Sequence, residues 1–268
     1  MGAQKGFFVA IGSRLKGIPE VLTLGVKPNF QDYTQAEKGV LFNAPFVLYP
    51  TLNYAQFLTT MGKRIFPSLE TYLYADEKIK QTTLFYMAEI PHPRTRIYYA
   101  LHRKDILNDF KFPFIGKIPR SSARGRGVFR IQNNEELERY LNLTKIAYIQ
   151  EFLPHERDLR VVIIHDEPVL AYWRISRPGD FRTNLSQGGE IDFDHIPDEG
   201  VKAALEAAGK CRFNDVGVDL ICSGNRWFVI EANMKYGRKA LKMKGFDLKQ
   251  VLRERLLSGK IAAACGKK

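Results

Sequence analysis

Residues 215–233 read DVGVDLICSGNRWFVIEAN. Val216, Val218, Leu220 and Cys222 alternate with Gly217, Asp219 and Ile221, the two-residue period of a strand. Ser223-Gly224-Asn225 is a turn signal, and WFVI at 227–230 reads as a second, buried strand. The stretch is therefore a β-hairpin, and a three-residue loop sets Asp219 opposite Glu231. Glu231 and Asn233 are two apart and share a face. Three oxygen donors with no soft ligand suit Mg²⁺. An ordinary polar strand residue at 219 and a solvated strand end at 231 fit the same letters, so the choice depends on phosphate binders elsewhere.

Upstream, PFIGKIPRSSARGRGVFR at 113–130 sets Lys117 inside a strand pattern, ahead of Ser121, Ser122, Gly125 and Gly127. Glycines let backbone N–H groups turn toward an anion, and a lysine beside such a loop is a phosphate clamp. A charged hairpin turn with a surface lysine is the alternative. IQEFLPHERDLR at 149–160 crosses from strand to loop at Gln150, Glu151, Phe152 and Leu153. Backbone groups at such a crossing can pair with a purine edge, and Asp158 can take ribose hydroxyls. Cross-strand charges on a surface hairpin are the alternative. Arg160, Arg174 and Arg182 are forks suited to phosphate or carboxylate. A salt bridge explains Arg174 equally well, and solvation explains Arg182.

The 268-residue chain carries a net charge of +12, which favours anionic partners, but its basic residues are dispersed and form no tail, which disfavours nucleic acid. Cys211, Cys222 and Cys265 lack metal-type spacing and read as reduced thiols of a cytoplasmic protein. No apolar run reaches membrane-span length. Residues 1–75 read as a small α/β unit, with one or two strands at 40–49 and a helix at 53–61. No dinucleotide glycine fingerprint occurs there. Beyond it the pattern predicts helices at 77–89, 103–109, 133–142, 198–211 and 247–258. Strands are expected at 96–101, 112–119, 127–131, 146–153, 157–164 and 167–175. Frequent hairpins among helices indicate an α+β fold.

Five stretches in order resemble the ATP-grasp superfamily, and most closely its RimK-like carboxylate–amine (glutamate) ligases. They are DEKIKQ with IPHPRT, FIGKIPRSSARGRGV, YIQEFLPHERDLR, GDFRTNLSQGG, and GVDLI with VIEAN. The resemblance spans roughly 76–258. It implies a small N-terminal unit, 1–75, and an ATP-grasp domain, 76–268, whose subdomains 76–148 and 149–268 clamp ATP. Lys78 and Lys117 then match the ATP-contacting lysines, with Ser122, Gly125 and Gly127 in the loop over the phosphates. Gln150 to Leu153 match the adenine hinge, and Asp158 the ribose contact. Arg182 and Asn184 match the loop that meets the phosphates and the reacting centre. Arg160 and Arg174 match anion-stabilising arginines. Asp219, Glu231 and Asn233 match the ligands of Mg²⁺, two ions in this family, with Mn²⁺ able to replace them. The implied reaction makes an acyl phosphate from a carboxylate and ATP, and an amine then displaces phosphate. The implied partners are ATP and carboxylate and amine substrates, either small molecules or peptide termini, and a homo-oligomer is compatible with the family. A phosphotransferase on the same clamp, or a non-catalytic nucleotide or nucleic-acid binder, is the rival reading. The family carries a small residue and Pro-Gly after EAN. Met234-Lys235-Tyr236-Gly237 stand here, where substrate should bind.

Overall fold

The computed structural model describes residues 8–119, 127–177, 189–237 and 239–264. The chain divides into two compact units. The first comprises Met1–Leu73, Arg212–Asp215 and Gly237–Lys268, and the second Tyr74–Cys211 and Val216–Tyr236. The first unit thus also takes in residues from 237 on, which the sequence places with the ATP-grasp body.

In the first unit, β1 (Phe8–Ala10), β2 (Val21–Thr23), β3 (Val47–Leu48) and β4 (Ile65–Phe66) form a parallel sheet in the order β2-β1-β3-β4. Its core gathers Val9, Ile11, Leu41, Val47 and Leu58. The expected strands at 40–49 shrink to β3, because Gln35–Asn43 is a helix. Thr34 caps it and Glu37 closes a capping box, which satisfies two end donors that an apolar run leaves open. The helix expected at 53–61 is Leu52–Thr60. Arg253 on the helix Leu248–Leu257 forks Glu20 at 2.5 and 2.9 Å, tying the late segment to this unit.

The second unit holds two sheets. β5 (Thr95–Tyr99), β6 (Phe114–Lys117), β7 (Val128–Ile131) and β8 (Ile146–Glu151) pair antiparallel in the order β5-β8-β6-β7. The helix Asn134–Leu143 covers this sheet through Leu137 and Tyr140, which pack with Phe114, Ile131 and Ile149. Gly116 is required there, since a Cβ would lie 2.7 Å from the Ile131 side chain and 3.0 Å from the Tyr140 ring. The other sheet runs β11-β10-β9-β12-β13, from β9 (Arg157–Ile164), β10 (Glu167–Ile175), β11 (Glu190–Asp192), β12 (Asp215–Ser223) and β13 (Arg226–Asn233).

Asp219 does face Glu231, as expected, and Gly217 faces Asn233. The route differs. Ser223 pairs with Arg226, so the turn is Gly224–Asn225, two residues, with Gly224 at φ +61°. A bulge between Leu220–Val229 and Asp219–Glu231 then absorbs Ile230. A flush register through Ile230 would set Glu231 opposite Val218, on the buried face.

Candidate active site

The hairpin end carries the candidate site. Asp219, Glu231 and Asn233 project from one face of β12 and β13. Lys78, at the start of the helix Lys78–Met87, sets its ammonium 3.0 Å from Glu231 Oε1. Burial alone would raise the Glu231 carboxyl, but Lys78 and Lys117 outweigh it and hold the group below the usual range. It is therefore ionised at neutral pH.

Behind Glu231 runs a buried chain of charge. Arg160 forks Asp219, Nε to Oδ1 at 2.5 Å and Nη2 to Oδ2 at 2.6 Å, and its Nη1 donates to the Tyr236 carbonyl at 3.0 Å. Arg174 Nη2 lies 2.8 Å from Asp219 Oδ2, and Arg174 also forks Asp158 with two bonds of 2.6 Å. Pairing of β9 with β10 sets Asp158 opposite Arg174 and Arg160 opposite Tyr172. Asp219 is pushed up by burial but pulled down further by Arg160 and Arg174, so it too is ionised. Arg174 and Asp158 are 4% and 2% exposed. Asp158, the expected ribose contact, accepts from Arg174 at both oxygens, which uses two of its about four acceptor positions. Arg174, expected beside a reacting anion, gives its Nε and Nη2 donors to these two aspartates.

Lys117 is the second cation. It is 5% exposed, its ammonium sits 5.6 Å from the Tyr148 ring centroid, and among the described residues no carboxylate lies within ion-pair distance of it. Burial pushes its pKa down to about 8, against the pull of Glu231. Thr82 donates to the Lys78 carbonyl at 2.9 Å, so its oxygen accepts the Tyr148 hydroxyl at 2.7 Å. Tyr148 and Thr82 thus link the two lysines. The sequence reading missed both, although Thr82 falls one turn after Lys78.

At the expected adenine hinge, Gln150 is buried and its side chain donates to Thr95 Oγ1 at 2.9 Å. Glu151 pairs with Arg94 through both backbone and carboxylate: its N–H donates to the Arg94 carbonyl at 2.9 Å, and its Oε1 accepts the Arg94 N–H at 2.6 Å. Phe152 lies under the Arg130 guanidinium at 4.4 Å, and Leu153 follows, partly exposed. The Gly127 carbonyl accepts the Ile118 N–H at 2.8 Å. Ser122, Gly125, Arg182 and Asn184 lie outside the described residues.

The donor set suits a hard divalent cation. Among the described residues no three His, Cys, Asp or Glu side chains gather; the set is two carboxylates and the Asn233 amide. A carboxylate offers about four acceptor positions, and Asp219 uses three on its arginines, so one oxygen lone pair remains for monodentate ligation. Glu231 uses one, on Lys78. Oxygen-only ligation by one or two carboxylates is how Mg²⁺ is usually held beside phosphates.

A RimK-like ATP-grasp domain model matches residues 75–256. The chain belongs to the RimK-like ATP-grasp family. The chain is 30% identical over 223 residues to the coenzyme gamma-F420-2:alpha-L-glutamate ligase of Methanocaldococcus jannaschii, covering 77% of this chain and 75% of that one. It is 29% identical over 174 residues to the tetrahydromethanopterin:alpha-L-glutamate ligase of the same organism, covering 59% and 58%. The fold matches a RimK domain ATP-grasp protein from Sphaerobacter thermophilus at TM-score 0.66, with 13% identity over 93% of this chain and 98% of that one. It also matches the D-alanine–D-alanine ligase of Bacillus anthracis complexed with ATP at TM-score 0.64, with 12% identity over 97% and 98%. The RimK-like chain is thus an ATP-dependent carboxylate–amine ligase. No helix among the described residues is long and apolar enough to cross a membrane.

Proposed function

We propose that this RimK-like ligase joins glutamate, through its amine, to the carboxylate of an anionic acceptor by way of an acyl phosphate. The observation that carries the phosphoryl-transfer half is the hairpin end itself: two ionised carboxylates, Asp219 and Glu231, beside Lys78 and the buried Lys117. Mg²⁺, two ions in our reading, would be held by Asp219, Glu231 and Asn233 and would neutralise charge on the transferring phosphoryl group. Lys78 and Lys117 bind the ATP phosphates, Lys117 from a dry site where its charge is strongest. Arg160 and Arg174 hold Asp219 ionised and aimed. Glutamate as the amine is supported by the printed activities of the relatives. An anionic acceptor, small molecule or peptide terminus, is supported by the +12 charge. A cytoplasmic location accords with three cysteines that lack disulfide or metal spacing.

The test supplies ATP, Mg²⁺, glutamate and a panel of polyanionic carboxylates, and follows ADP release with mass spectrometry of products. Hydroxylamine should trap a hydroxamate when acceptor and ATP are present without glutamate. ATP turnover that gives a stable phosphorylated acceptor, with neither hydroxamate nor amide, assigns a phosphotransferase and overturns the proposal.

A further inference from the structure

β13 is the edge strand of its sheet, so the outward N–H and C=O of Ala232 have no strand to pair with. Ala232 stands between Glu231 and Asn233. Its N–H donates to Gln81 Oε1 at 2.8 Å, and its carbonyl accepts Gln81 Nε2 at 2.8 Å. The second Nε2 hydrogen goes to the Tyr74 carbonyl at 3.1 Å, and the Asp76 N–H adds a bond to Ala232 O at 3.1 Å. Gln81 is 2% exposed. Its amide orientation is fixed by its partners, since an N–H faces the oxygen and two carbonyls face the nitrogen. One side chain therefore does for one residue what a neighbouring strand would do.

That placement has two consequences. Fixing both backbone groups of Ala232 fixes the peptide planes on either side of it, and so the directions in which Glu231 and Asn233 leave the strand. Gln81 also lies one helical turn after Lys78, on the same helix. The clamp that holds the strand end thus also sets the helix face from which Lys78 reaches Glu231. Burying a glutamine costs side-chain entropy that a leucine would lose less of. A glutamine with both amide ends on one backbone residue stabilises a local geometry.

We infer that Gln81 is a positioning residue for the divalent-cation site: its amide clamps Ala232 and thereby aims Glu231 and Asn233. The inference rests on the assignment of those two residues as metal ligands. It extends to a residue that does not touch the ion, where losses of roughly 10–100-fold in metal affinity are typical.

The probe is Mn²⁺ bound to the full chain with a non-hydrolysable ATP analogue, read by electron spin resonance, with heat unfolding alongside. Gln81→Met keeps the length and apolar stem but makes no hydrogen bond to Ala232. It should weaken Mn²⁺ binding about tenfold or more at temperatures far below unfolding, and raise the Mg²⁺ needed for half-maximal turnover in step. Glu231→Gln is the control and should lose Mn²⁺ binding. If Gln81→Met binds Mn²⁺ as the wild type does while Glu231→Gln does not, the positioning role is wrong and the metal assignment stands. If both bind as the wild type does, the metal assignment itself fails. Should Gln81→Met not fold, hydrogen exchange in the wild type decides. An Ala232 amide as slow as those inside the sheet supports the clamp, and one exchanging at the rate of an open edge overturns it.

Discussion

Gly217 and Tyr236 approach so closely that a Cβ at Gly217 would lie 2.4 Å from the Tyr236 Cβ. Tyr236 is buried and its carbonyl anchors Arg160, which forks Asp219 on the same strand as Gly217. Gly217→Ala must therefore push Tyr236 outward and loosen Arg160. Overpacking of this kind costs typically about 1–3 kcal/mol. Urea unfolding should show a loss in that range, and ATP turnover should fall at temperatures where the variant is fully folded. Unchanged turnover would show that the Tyr236–Arg160 contact does not aim Asp219.

Arg174 is held between two buried aspartates, and that position makes its loss expensive. Arg174→Met leaves Asp158 and Asp219 buried with less compensation, and breaking such a pair costs about 3–5 kcal/mol. Arg174→Lys keeps a charge but cannot fork Asp158 while reaching Asp219, so it should fall between. Denaturant midpoints with an unchanged slope would check both. A wild-type midpoint for Arg174→Met, with turnover lost, would return Arg174 to the reacting centre.

How much of this was legible varies by element. The Asp219–Glu231 pairing was read correctly through two errors that cancel. Ser223 belongs to the strand, not the loop, and Ile230 is an extra residue that an unbroken apolar run does not reveal. The alternation of Asp158 and Arg160 placed both on one face. Their partner was not readable, because a register irregularity between Pro168 and Leu170 sets Arg174 opposite Asp158; a flush ladder would set it against Arg157. The helix Gln35–Asn43 did announce itself through Thr34 and Glu37, but the apolar letters of VLFNAPFVLY outweighed that signal. Strands of two or three residues, such as β3 and β4, are too short to show a period at all.

Ile230 makes a prediction that runs against intuition. It is the surplus residue of the bulge, so deleting it closes a regular ladder with Asp219 still opposite Glu231 and Gly217 still opposite Asn233. The chain should fold cooperatively, lose about 1–2 kcal/mol for a partly buried isoleucine, and still bind Mn²⁺. Mn²⁺ binding and a melting curve on the deletion variant check this. A folded variant with no Mn²⁺ binding would mean that the bend made by the bulge, not the register, aims Glu231.

On the assignment proposed above, Lys117 should set the pH dependence of ATP binding. Burial lowers its pKa from 10.5 to about 8 in the folded chain. Phosphates need the ammonium form, so nucleotide affinity should be flat below pH 8. Above it, affinity should fall by up to about tenfold per pH unit until the lysine of the complex itself loses its proton. Binding at pH 8 should take up a fraction of a proton, seen as a calorimetric enthalpy that changes with the ionisation enthalpy of the buffer. Lys117→Arg stays charged throughout and should flatten the profile, whatever it does to absolute affinity. Stability moves with the opposite sign. Between pH 8 and 10.5 the unfolded chain keeps a proton that folded Lys117 has given up, so this residue's contribution to stability rises with pH across that window. Lys117→Met should remove that rise. ATP affinity that stays constant from pH 7 to 9 in the wild type would mean that Lys117 keeps its proton there or does not meet the phosphates.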